Sequence, residues 1–148
     1  KDFFIDPYQV YLAKSFGADA VLIILSALDE KIAKEIYNIA EELNISTIVE
    51  VHTEEEAKNA LNFKNAIIGI NNRNLETLKT DIQTTYDLHK LVSNHPGPLI
   101  CESGIKSEKE VEKIVKKTKI NNFLIGESLL KDLDKNTSLL RRILQIKP

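Results

Sequence analysis

Apolar runs of strand length alternate along this chain with segments whose apolar residues recur at helical spacing. The runs are Ala20–Leu25, Thr47–Val51, Ala66–Ile70, Leu99–Cys101 and Asn122–Ile125, dominated by Val, Ile and Leu. Such runs mark strands covered on both sides. Between the first two lies Asp29–Leu43, with Ile32, Ile36, Ile39, Ala40 and Leu43 on one helical stripe and Asn44 just past its end. Thr53-Glu54-Glu55-Glu56 and Ser107-Glu108-Lys109-Glu110 each place a Glu three residues after a hydroxyl residue, the sequence of a capping box. The first opens a short helix to Leu61. The second opens a helix that turns Val111, Ile114 and Val115 inward. Asp6-Pro7 predicts another helix start, with Gly17 as the left-handed stop after Phe16. A polar loop to about Thr80 precedes a helix to about Val92, ended by Asn94-His95-Pro96-Gly97-Pro98. A terminal helix is expected over Thr137–Ile146.

Strand then helix, five times over, demands a mostly parallel sheet covered by helices. Two α/β architectures satisfy it. One is an open, parallel doubly wound sheet. The other is an incomplete (β/α)8 TIM barrel of about five βα units, a single partial domain over residues 1–148. Length favours the open sheet, since a whole barrel takes ~250 residues. The strand ends favour the barrel. Val49-Glu50-Val51-His52, Ile70-Asn71-Asn72-Arg73, Cys101-Glu102-Ser103-Gly104 and Ile125-Gly126-Glu127-Ser128 all pass from aliphatic to polar. A barrel gathers its chemistry from the carboxyl ends of many strands.

Composition narrows the function. Lys and Arg number 20 against 22 Asp and Glu, a net charge of −2, which offers no basic field for nucleic acid. No stretch reaches the ~18 apolar residues of a membrane span, and no signal-peptide pattern is present. The lone Cys101 has no intrachain partner, as expected in a reducing cytoplasm. The opening Lys1-Asp2-Phe3-Phe4 lacks Met, so the expectation is that these residues begin within a longer chain.

Glu50, between Val49 and Val51, points to the opposite side of its strand. Burying an unpaired carboxylate costs roughly several kcal/mol. Glu50 is therefore either a salt-bridged strand end or a pocket residue acting as general acid or base. His52 suggests a metal pair with it, but His89 falls in a helix and His95 in a turn, and no Cys lies at ligand spacing. No metal is expected. Cys101, inside a strand, reads as a small core residue rather than a nucleophile. Ser103-Gly104-Ile105 and Gly126-Glu127-Ser128 each place a Gly between a strand and a helix, where backbone N–H groups can bind phosphate, although tight βα turns want Gly anyway. Arg73 offers a charge-assisted donor. Lys1, taken alone, is a surface lysine.

The segments KDFFIDPYQV, GADAVLIIL, IVEVHTEEE, IIGINNRNLETLKTD, CESGI and FLIGESLL together resemble the indole-3-glycerol phosphate synthase family, in its order and over nearly the whole chain. The resemblance implies a (β/α)8 barrel and a carbon–carbon lyase (carboxy-lyase) of tryptophan biosynthesis. Its substrate is 1-(2-carboxyphenylamino)-1-deoxyribulose 5-phosphate, whose indole ring it closes with loss of carbon dioxide and water. No cofactor is implied. Roles follow by position. Lys1 resembles the family's general acid at the end of the third barrel strand, Glu50 its catalytic glutamate and Asn71 its substrate-orienting asparagine. Glu102 and Ser103 match the pair lining the pocket, and Leu22 the apolar wall against the anthranilate ring. Arg73, Gly104 and Gly126 fall where the family surrounds the phosphate. Glu127 stands where some relatives carry Ser, with its backbone N–H serving the phosphate.

Before this lysine the family has an N-terminal extension, two further βα units and most of the third strand, including a Glu and a Lys of the site. The resemblance therefore implies a chain that is inactive alone and that self-associates or is complemented by the missing N-terminal barrel portion. The rival readings are another phosphosugar barrel enzyme, and a non-catalytic phosphate-ligand binding or interaction fragment.

Overall fold

The computed structural model describes residues 2–130 and 139–146. Five strands form one wholly parallel sheet: β1 (Ala20–Ile24), β2 (Ser46–Val51), β3 (Ile67–Asn71), β4 (Leu99–Glu102) and β5 (Asn122–Leu124). Helices α1 (Tyr8–Ser15), α2 (Glu30–Glu42), α3 (Glu54–Ala60), α4 (Gln83–Val92), α5 (Glu108–Thr118) and α6 (Glu127–Leu130) interleave with them. Residues 139–143 are again helical. The start of the expected terminal helix, Thr137 and Ser138, lies outside the described residues.

Strand order separates the two architectures. The order is β1-β2-β3-β4-β5, the order of the sequence. A doubly wound sheet must reverse direction at a switch point to place helices on both faces. Here every strand adds on the same side of its predecessor, and right-handed crossovers then lay all the helices on one face. The fold is an incomplete (β/α)8 barrel, and the open doubly wound alternative is ruled out. The length rule misleads because it describes a closed barrel.

The helix-facing strand residues Val21, Ile23, Val49, Val51, Ile68 and Ile70 are buried in one cluster with Ala33, Ile36, Ala40, Ala57 and Ile114 from the helices. Alanines at these positions let helix and sheet approach closely. Capping chemistry sets the boundaries. Asp29 accepts the Ile32 N–H at 2.9 Å to open α2, and Asn44 takes a left-handed φ of 51° after it. Asp6 accepts the Tyr8 N–H at 2.8 Å ahead of α1, and Gly17 (φ 78°) follows as its stop. Ser107 and Glu110 form the reciprocal box expected of them. At α3 only half of the expected box forms. Thr53 accepts the Glu56 N–H at 3.2 Å, but the Glu56 carboxylate takes the N–H of His52, one residue earlier, at 2.7 Å.

The alternate strand residues form the other sheet face. Alternation and register place Ile24, Glu50, Gly69, Ile100 and Asn122 in one row across it. The next row towards the carboxyl ends holds Asn71, Glu102 and Leu124. This is the concave, barrel-lining face. No helix among the described residues is long and apolar enough to cross a membrane.

Candidate active site

Glu50 is wholly buried on the concave face (0 % exposed) and is held by its neighbours. The Arg73 backbone N–H donates to Asn71 Oδ1 at 3.0 Å. That N–H can only donate, so it fixes the amide and turns Nδ2 to Glu50 Oε1 at 2.9 Å. On the other side, His52 Nε2 stands 3.2 Å from the same oxygen, and Nδ1 stands 3.2 Å from Glu56 Oε2. Burial opposes charge on this ring, but hydrogen bonding and attraction from Glu50 and Glu56 push its pKa up to about 9. Burial likewise pushes the Glu56 carboxyl up, yet the His52 contacts hold it below the ordinary carboxylate value. Each ring nitrogen thus faces a carboxylate. Because folding raises the His52 pKa, its contribution to stability is complete below the ordinary 6.5 and is lost as pH rises through about 9.

Glu102 reaches the site through a gap left by a glycine. A Cβ on Gly69 would lie 2.0 Å from Glu102 Oε1 and 3.0 Å from its Cδ. Gly69 pairs in register with Glu50 on β2, so the notch brings the second carboxylate beside the first. The only sign in the sequence is a Gly inside an Ile-rich strand, the mark of a close approach. Gly69→Ala should force the Glu102 carboxylate out and cost about 1–3 kcal/mol, the usual penalty of overpacking. A urea titration checks it. Combining Gly69→Ala with Glu102→Ala should recover most of the loss, because the remaining Ile48 contact at 3.4 Å is ordinary. A double variant as unstable as the single one would mean that the notch serves something else.

Asn72 faces away from the site and braces it. Its Nδ2 donates to the carbonyls of Glu102 (2.9 Å) and Ser103 (3.1 Å). Its Oδ1 accepts from the N–H and hydroxyl of Thr85 on α4 at 3.0 and 2.8 Å. The end of β3 is thus clamped to the turn after β4. Cys101 sits in the same buried cluster, 3.2 Å from the Thr85 hydroxyl, and burial pushes its thiol pKa up, as suits a core residue.

Past β4, Ser103 (φ 62°) and Gly104 (φ 76°) turn the chain in left-handed conformation. A Cβ on Gly104 would come within 3.1 Å of Thr80. Arg73, in the loop after β3, and Glu127, the first residue of α6, are brought together: Nη2 lies 2.5 Å from Glu127 Oε2, and Nη1 donates to the Leu78 carbonyl at 3.1 Å. The Ser128 hydroxyl donates to the Ile105 carbonyl. A Cβ on Gly126 would meet nothing within 4 Å. Leu22 is buried beside Ile48 on the concave face. Lys1 lies outside the described residues. Glu50, Asn71 and Glu102 therefore assemble on one face, with the Arg73–Glu127 pair at its rim. Nothing in the sequence singled out Gly69 or Asn72, and it gave Glu56 only the role of a capping residue.

The family model of indole-3-glycerol phosphate synthase matches residues 1–141. The indole-3-glycerol phosphate synthase of Polynucleobacter asymbioticus is 43% identical over 139 residues, covering 94% of this chain and 51% of that protein. The tryptophan biosynthesis protein TrpCF of Helicobacter pylori is 42% identical over 144 residues, covering 97% of this chain and 31% of that protein. The chain spans about half the length of the first relative and less of the second. Among solved structures, the tryptophan synthase a2b2 complex from Pyrococcus furiosus superposes with TM-score 0.70 at 17% identity, covering 95% of this chain and 61% of that one. A mutant tryptophan synthase alpha-subunit from the same organism gives 0.68 at 20% identity, covering 95% and 60%. At such identities the likeness speaks for the fold alone. With a family model matched from Lys1 to Arg141, and the polar strand ends it implies gathered on one barrel face, the chain belongs to the indole-3-glycerol phosphate synthase family.

Proposed function

We propose that this chain supplies five βα units of a cytoplasmic indole-3-glycerol phosphate synthase. It is a carbon–carbon lyase that closes the indole ring of 1-(2-carboxyphenylamino)-1-deoxyribulose 5-phosphate and releases carbon dioxide and water. The observation that carries the reading is the buried Glu50 carboxylate, gripped by Asn71 and flanked by the His52 ring, whose pKa its carboxylate neighbours push up. Ring closure needs an acid at the ketone oxygen as the aromatic carbon attacks, and later at the departing hydroxide. Lys1 is the family's group for that task. A base must take a proton as the ring is completed, and an ionised, oriented Glu50 suits it. Asn71, Glu102 and Ser103 orient the substrate, and Leu22 adds apolar wall for its aromatic ring.

The phosphate falls to the rim, to backbone N–H groups of Gly104, Gly126 and Glu127 and to Arg73. Arg73 meets it already paired with Glu127. A guanidinium has five donors, so it can add a phosphate oxygen while keeping or loosening the carboxylate. Gly126→Val should fill the open space there and raise KM more than it lowers kcat. Unchanged affinity for a phosphorylated ligand would remove Gly126 from the site.

The reading is tested by completing the barrel, with the N-terminal portion of the Polynucleobacter relative fused or added in trans. The assembled protein should form indole-3-glycerol phosphate from the substrate. A folded barrel that binds a phosphorylated ligand without turnover would overturn the reading in favour of a non-catalytic binding domain.

A further inference from the structure

Glu56 does not behave as a capping residue. It lies on the first turn of α3, where its sequence context calls for a bond back to the cap. Its Oε2 instead takes both the backbone N–H (2.7 Å) and ring Nδ1 (3.2 Å) of His52. One oxygen holding backbone and ring together fixes where the ring points. The other nitrogen then stands 3.2 Å from Glu50 Oε1 in a side chain only 10% exposed. That contact is an ion pair between the ring and the carboxylate. Asn71 already donates to the same oxygen, so His52 supplies charge where Asn71 supplies direction.

The surroundings leave few other sources of charge for this ring. Glu50 and Glu56 are the charged groups that act on it. Strand β1 and the turn Leu25–Ala27 that follows contain no titratable side chain. On α2, Glu30 and Lys34 pair with each other. On α3, Glu54 and Glu55 are exposed. At the end of β3, Arg73 is turned to Glu127, and on β4 Glu102 is the other carboxyl group that comes beside Glu50, through the Gly69 notch.

We propose that Glu56 is a positioning residue acting through His52: it holds an imidazolium against Glu50, and so keeps that carboxylate ionised and in place to accept a proton. The proposal rests on Glu50 being the base of the reaction and adds the device that sets its protonation. Without the Glu56 charge the ring is free to turn and to lose its proton. Glu50 then loses a counter-charge in a buried setting, and protonated Glu50 cannot act as a base.

The test uses the completed barrel and two readouts. In the first, His52 is titrated by NMR. It should titrate near 9 in the unaltered protein and fall towards the ordinary 6.5 in Glu56→Gln. In the second, the acid limb of the kcat/KM profile should move up by about one pH unit or more in both Glu56→Gln and His52→Gln, as expected when an opposite charge at this range is removed. A merely structural role would lower activity at all pH values alike. An unmoved His52 titration or an unmoved acid limb overturns the proposal. If Glu56→Gln weakens α3 too far to fold, His52→Gln leaves Glu56 in place and carries the same expectation for the limb. A completed barrel without activity would count against the enzymatic reading alone, since the titration still decides whether Glu56 governs His52.

Discussion

Glu50→Gln lowers turnover of the completed barrel by about 10²–10⁴, the usual worth of a positioned proton transfer, while the barrel stays folded. Gln keeps the length and shape of Glu and leaves an amide oxygen to accept from Asn71 Nδ2, which now donates to Oε1 at 2.9 Å. It cannot take a proton. The loss should therefore fall on kcat, with little change in substrate affinity. Stability should hold or rise, because replacing a buried ionised group often relieves its desolvation. His52 loses one of its two carboxylates in this variant, so its titration should move down together with turnover. Steady-state kinetics beside a urea titration check both parts. Near-normal turnover would leave Glu50 as a structural ion-pair partner and remove the base from the mechanism.

The second large effect is expected from the 148-residue polypeptide on its own: no turnover approaching that of the completed barrel, together with self-association. Among the described residues, β1 and β5 each pair on one side only. Their outer backbone groups offer ready templates for another strand. Apolar surface is also exposed on α1 and its flank, which present Tyr8, Tyr11, Leu12 and Phe16, the last 82% exposed. On the concave face Leu124 is 59% exposed. A polypeptide that completes the barrel would cover these surfaces and, as the resemblance implies, add the first-strand groups of the site. Catalytic groups contribute little unless they are held in place, so activity should return when the N-terminal portion is added in trans. Light scattering across a concentration series, with an activity assay on each fraction, checks it. A monomer turning over at the rate of the completed barrel would refute the expectation.

Much of the fold was legible because secondary structure is written in local periodicity. The aliphatic runs became β1 to β5 within one or two residues, and the stripe on Asp29–Leu43 became α2. The parallel sheet followed from strand–helix alternation, and the polar strand ends marked which face would carry chemistry. The direction of Glu50 was legible too, since its valine neighbours are the core residues Val49 and Val51.

Relations between segments distant in sequence were decided only in three dimensions. A doubly wound sheet and a barrel section share one pattern along the chain and differ in the edge to which each strand adds. Gly69 looked like any strand glycine until the register Asn71↔Glu102 laid a carboxylate over it. Arg73 and Glu127 meet across 54 residues, a pairing that neither segment announces. Even the local rule failed at Glu56, where the Thr-x-x-Glu pattern predicts a bond to the cap and the carboxylate goes to His52. The reason is electrostatic: His52, two residues after Glu50 at the end of the same strand, has a carboxylate facing each of its ring nitrogens. Periodicity belongs to one segment and can be read from it, whereas register, strand order and charge pairing belong to two segments at once and exist only after they meet.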